Sequence, residues 1–213
     1  MVLMGQQLIH NARVRDIMAQ QVAAEAAITA FQDRYRALPG DYDEASTNMA
    51  CDSGNCIDGN GNGLVEAGIN GAIHEEILAW HHLRAARFIE GSFSMADAAV
   101  SQAAPSNTPR NVFGGYLRWA YDQQWGYSGQ TTTRHNIKTG NQVPADVLAE
   151  VDRKTDDGLP GTGRFQFSTY AASGVAPPTG SAAGVTCTDI DTAGAQWRAV
   201  NGAENCGAAT LLR

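Results

Sequence analysis

Apolar side chains recur at helical spacing from the start of the chain. Val14, Ile17, Met18, Val22, Ile28, Phe31, Tyr35 and Leu38 fall on one stripe, and Arg13, Arg15, Gln20, Glu25 and Arg34 lie mostly off it. The spacing predicts a single helix over residues 3–38, about 50 Å long at 1.5 Å per residue. One small domain does not cover that length, so the first turns are expected to project or to pack on another subunit. The helix is expected to stop at Leu38-Pro39-Gly40-Asp41. There proline disfavours the α conformation in the residue before it, and glycine supplies the positive φ for a turn.

The pattern then changes. Residues 41–71 read as loop. A second helix is predicted over residues 70–89, with Ile73, Ile77, Trp80, Leu83 and Phe88 on its buried face, and a short third over 95–103 before Pro105. Residues 112–138 carry β-favouring aromatics interrupted by turn residues, which predicts two or three antiparallel strands. Pro144 and the acid behind it open a short helix over 144–152. Phe165 to Tyr170 alternates as a strand with Phe165 and Phe167 on one face, 174–184 is a Pro/Gly/Ser linker, and the last thirty residues read as loop. The sum is one α+β domain over residues 1–213: a long N-terminal amphipathic helix (1–38) packed on an antiparallel β-sheet, with extra short helices in a head formed by 39–213.

Composition narrows the function classes. The net charge of −7 and the absence of any basic run exclude a dedicated nucleic-acid surface. No stretch of about 20 apolar residues is present to span a bilayer. Four cysteines, Cys51, Cys56, Cys187 and Cys206, form two local pairs in loop-rich sequence. They read as disulfides and so as an oxidising compartment. Three connectivities are possible and the two local ones are favoured. The Cys51–Cys56 spacing is too long for a thioredoxin-type redox pair, and neither pair has the short spacing of zinc ligands.

Chemistry-bearing motifs are few. Asp58-Gly-Asn60-Gly-Asn62-Gly63 with Glu66 places oxygen side chains at alternate positions and glycine at the sixth, as a calcium loop does, but the twelfth position is Ile69. The alternative is a turn of residues that tolerate left-handed backbone. Asp152, Asp156 and Asp157 are a rival calcium cluster. His74, Glu75, Glu76, His81 and His82 lack the i, i+4 histidine pair of a zinc peptidase; His74 and His81, two turns apart, could share a face, and a solvated helix surface is the favoured reading for them. Gly126-Tyr127-Ser128-Gly129 lacks the spacing of a hydrolase elbow, and no glycine run is followed by the Lys of a phosphate loop. The aromatics between Phe113 and Tyr127 suit either core or a sugar-stacking platform. No catalytic constellation emerges.

The Tyr35-x-Ala37-Leu38-Pro39-Gly40-Asp41 corner after a long helix, ahead of a Gly/Asn-rich loop, resembles type IV pilins and their pseudopilin relatives. Glu76, Trp80, His82, Leu83, Ala86, Ile89 and Gly91 are similar to the E-x3-W-x-H-L-x2-A-x2-I-x-G helix of such proteins, and residues 151–163 to their D-x-K-x-D-D-G-x-P-x-x-G turn. Cys187 and Cys206 stand where they often carry a disulfide-bounded C-terminal loop. The resemblance spans about three-quarters of the chain. It implies a filament subunit and not a catalyst, polymerising with itself or other pilin-like subunits through the N-terminal helix. The stripe residues Val14, Ile17, Met18 and Val22 would then serve assembly. It further implies an apolar segment upstream of Met1, inner-membrane anchoring and assembly machinery, and a cell-surface destination for adhesion or motility. The apolar helix and processing site of the family are not in this sequence. A type II secretion pseudopilin, or a secreted module binding calcium or sugar, is the alternative.

Overall fold

The computed structural model describes residues 2–51, 54–68, 74–91, 93, 102–129, 131–172, 174–181 and 184–212. Helix α1 runs Val2–Tyr35. It ends three residues before the predicted stop, because Arg36 turns into the left-handed region at φ 57° while its N–H still reaches Gln32 O. The Leu-Pro-Gly-Asp corner lies beyond the helix and turns the chain. The buried stripe is Val14, Ile17, Gln21, Ala24, Ala27, Ile28 and Phe31, stepping by three and four as one helix face must. Val22 is off that stripe and 64 % exposed.

The stripe packs on two regions. Ala24, Ala27, Ile28 and Phe31 meet Trp80 and Leu83 of α3 (Glu75–Ala85), together with Trp119 and Ile137. Val14 and Ile17 meet Leu148 and Val151 of α4 (Ala145–Thr155), Phe165, Phe167 and Trp197. The small side chains of Ala24 and Ala27 let the helix approach closely at mid-length. Gln21 is tolerated there because its Oε1 accepts the Thr210 hydroxyl at 2.9 Å.

A four-stranded sheet lies under the helix. Strands β3 (Arg118–Asp122), β4 (Arg134–Lys138), β5 (Phe165–Phe167) and β6 (Ala208–Leu211) run in the order β3-β4-β6-β5, every neighbour antiparallel. Trp119 pairs with Ile137, Ile137 with Thr210, and Thr210 with Phe165, so these residues share the face toward α1. The other face carries Asp122, Asn136, Lys138, Ala209 and Leu211 and is covered in part by Trp125. A short helix α2 (Ala45–Asn48) and a two-residue pairing of β1 (Ala50–Cys51) with β2 (Gly54–Asn55) follow the corner.

Several expectations change. The C-terminal tail is not only a loop: its last residues form β6, placed between β4 and β5. The strand begun at Phe165 stops at Phe167. Helix α4 extends to Thr155, with Pro144 as its N-cap in extended conformation. Helix α3 is buried around its whole circumference from Glu75 to Leu83, not along one face. The start of the predicted 70–89 helix, with Ile73, and most of the helix predicted over 95–103 lie outside the described residues.

Candidate functional site

The corner after α1 is a buried hub. Gly40 sits at φ +97°, and a Cβ there would meet Glu75 O at 2.4 Å, so only glycine allows α3 to lie this close. Gly40 N–H donates to His82 Nδ1 at 3.1 Å, and His82 Nε2–H donates to Ile57 O at 2.8 Å. Both ring nitrogens are used by a neutral imidazole, and burial pulls His82 down from 6.5 to about 4. Trp119 Nε1–H reaches Pro39 O at 3.3 Å. His81 and His82 are interior residues, 3 % and 0 % exposed, and His74 is half-buried, which corrects the expectation of a solvated surface for His74 and His81.

The hub also organises the loop read as a calcium site. Asp41 accepts the N–H groups of Asn62 and Gly63 at 2.9 and 2.8 Å, and Glu75 accepts those of Asn60 and Glu66, each at 3.0 Å. The four candidate ligands each make hydrogen bonds within the turn. Asp58 accepts the Ser46 N–H and hydroxyl. Asn60 and Asn62 cap N–H groups two residues onward, and the Asn62 amide donates to Glu66 at 3.1 Å. Residues 58–66 are a turn held by two buried carboxylates, and the alternating oxygens serve that turn.

Glu75 gives this hub a pH dependence. Burial pushes its carboxyl up from 4.5 to about 7, against the pull of the Asn60 and Glu66 N–H groups. The folded state therefore holds the proton more tightly than the unfolded chain, and this group's stabilisation is lost as pH rises from about 4.5 to about 7. Glu75→Gln should flatten that decline relative to the parent chain. Thermal melts from about pH 4 to about pH 8 read the difference directly; parallel curves would exclude Glu75 as its source.

Asp152, Asp156 and Asp157 do converge, with one oxygen from each within 4.8 Å of the others. Oxygen donors of this kind suit calcium. Most of the oxygens already have work. Asp152 accepts Trp197 Nε1–H at 2.6 Å and Gly158 N–H, Asp156 accepts the Arg164 and Phe165 N–H groups, and Asp157 accepts Leu159 N–H and the Thr162 hydroxyl. Burial, assisted by the neighbouring acids, pushes Asp152 up to about 6. The cluster ties the end of α4 to β5, and among the described residues it is the group of three acids that converges.

The residues assigned to assembly divide. Val14 and Ile17 are 0 % exposed inside the head and Met18 is half-buried against them, so none of the three forms a free face. Val22 remains exposed. Two more apolar side chains of α1 open to solvent lie earlier: Leu8 is 70 % and Ile9 55 % exposed. Residues 5–13 are exposed apart from half-buried His10, and they touch the head at its rim, through His10 with Asp146 and Arg13 over the Phe113 ring. Ranking stripe residues by hydrophobicity missed this division, since Ala and Gln, not Val22, occupy the contact face.

Both local disulfides form, Cys51–Cys56 and Cys187–Cys206. The second closes a loop with sequence separation 19, contributing about 3 kcal/mol in the chain-entropy account. Compared with protein-family models, with curated proteins and with solved structures, the chain matches none. Among the described residues, no helix is long and apolar enough to cross a membrane.

Proposed function

We propose that this chain is a pilin-like structural subunit of a type IV pilus-like filament. The observation that carries the reading is the division of α1. Residues 14–31 are built into the head by a buried stripe, while residues 5–13 continue the same helix with Leu8 and Ile9 facing solvent. A rigid helix that outruns its own core presents apolar surface for other subunits, and a head-to-tail contact builds a helical filament when the rotation between copies does not close. The partners are then other copies or similar subunits, assembled at the inner membrane and delivered to the cell surface. Two disulfides suit that oxidising environment.

Leu8→Glu combined with Ile9→Glu tests the reading. Both positions are exposed, and acids near a helix N-terminus oppose no dipole, so the melting of the isolated chain should shift by no more than about 0.5 kcal/mol equivalent. In cells making the whole gene product, electron microscopy should find surface filaments with the parent sequence and none with the variant. Filaments of equal number and length in both would overturn the proposal.

A further inference from the structure

A cavity of about 390 Å³ opens on the head where the turn after β3 meets the stretch after β5. That size falls within the range of small-molecule sites. Its floor is aromatic. Trp125 is 5 % exposed, with its Nε1–H given to Asp122 O at 3.0 Å, and Phe167 is equally buried. Half-buried Tyr127 forms a wall.

The rim is held in place before any ligand arrives. Ser128 N–H donates to Asp191 Oδ1 at 2.7 Å and its hydroxyl to Asp191 Oδ2, which ties the turn to the Cys187–Cys206 loop. Gly126 N–H reaches Phe167 O at 2.8 Å, and the Ser168 hydroxyl reaches Gln124 O at 2.6 Å. Pre-formed walls lower the ordering cost of binding.

We propose that this groove binds a neutral oligosaccharide. Sugars offer two surfaces, an apolar face of C–H groups and a ring of hydroxyls that both donate and accept. Aromatic side chains suit the first, and carboxamides and hydroxyls suit the second. The exposed Gln123 carboxamide and the Tyr127 and Thr169 hydroxyls line the groove without hydrogen-bond partners among the described residues, and Gln124 spends only its oxygen, on Arg118. Charge then selects the kind of glycan. Among the described residues no lysine or arginine lines the groove, and the one carboxylate there is Asp191, so sulfated or sialylated sugars are disfavoured. None of the lining residues belongs to α1, and the inference stands apart from the filament proposal.

The test is a panel of immobilised glycans, neutral, sialylated and sulfated, probed with the full chain and with Gln123→Ala, Tyr127→Phe and Tyr127→Ala. Gln123 is exposed, so its variant folds whether or not Tyr127→Ala does. The expected result is binding to a neutral glycan that weakens by about tenfold or more in Tyr127→Ala and Gln123→Ala, and by less in Tyr127→Phe, which loses the hydroxyl and keeps the ring. Absence of neutral-glycan binding at millimolar concentration, a preference for sulfated or sialylated members, or unchanged binding by folded Gln123→Ala would each overturn the assignment.

Discussion

Replacing Asp122 by alanine should destabilise the protein by about 3–5 kcal/mol, more than loss of an exposed salt bridge. Lys138 is 0 % exposed on the face of the sheet away from α1, and its ammonium donates to both Asp122 oxygens at 2.7 Å and to Asn136 Oδ1 at 2.6 Å. The Tyr170 ring lies 5.9 Å from the same ammonium. Burial pulls Lys138 down from 10.5 to about 8 even with its partner present. Burial also pushes Asp122 upward, but the Lys138 charge and the hydrogen bonds from Lys138 and Asn136 outweigh it and hold the carboxyl below its usual range. Removing the carboxylate strands the cation. The lysine must then give up its proton or draw in water.

The sign with pH follows. A lysine whose folded pKa lies below its unfolded one contributes stability that grows as pH rises and is lost as pH falls through the folded value. In Asp122→Ala that value drops further, so the deficit should shrink as pH rises from the variant's lower value to about 8 and level off above it. The double change Asp122→Leu with Lys138→Met should cost much less than Asp122→Ala alone, since it removes both desolvated charges. Urea denaturation of the three chains measures all of this. An Asp122→Ala loss near 1 kcal/mol would mean the ammonium is solvated, contrary to the structure.

The second large effect is expected at Gly40. Gly40→Ala places a Cβ 2.4 Å from the Glu75 carbonyl and 3.1 Å from the Ala79 Cβ, at φ +97°. Neither obstacle is the far end of a flexible side chain, so α3 itself must shift, and with it the His82 and Glu75 contacts. The combined strain and overpacking should cost about 3 kcal/mol. Gly63→Ala is the matched control. Its φ is +83°, but nothing lies within 4 Å of an added Cβ and its N–H to Asp41 is kept. That change should cost only about 1 kcal/mol, the conformational share. Equal losses at both sites would show that the approach of α3 to the corner is not what fixes Gly40.

Much of this architecture was legible in the sequence because it rests on local signals. The long apolar repeat gave α1, Pro144 and the following acid gave α4, and the aromatics at Trp119 and Tyr121 gave β3. What the sequence hid depends on distant partners. Ala208 to Leu211 has no strong alternation, and it becomes a strand because β4 and β5 offer it two ladders. Asp58, Asn60 and Asn62 have the spacing of a cation loop, yet Asp41 and Glu75 from either side supply the carboxylates that hold its backbone. His81 looks solvated on a charged helix, yet it is buried and lies beside Cys51. Glu75 itself was visible only as an acid inside the helix predicted over 70–89, beside histidines that lack the spacing of a zinc peptidase. Its burial follows from the turn of Gly40.

In the proposed filament α1 has two fates along one continuous helix: residues 5–13, which touch the head only at its rim, meet other subunits, and residues 14–31 belong to the head. Amide hydrogen exchange compared between the isolated chain and filaments made by the whole gene product tests this directly. In the isolated chain, residues 14–31 should be protected and residues 5–13 should exchange rapidly as a fraying end. In filaments both stretches should be protected. Residues 5–13 exchanging equally fast in both states would contradict the account.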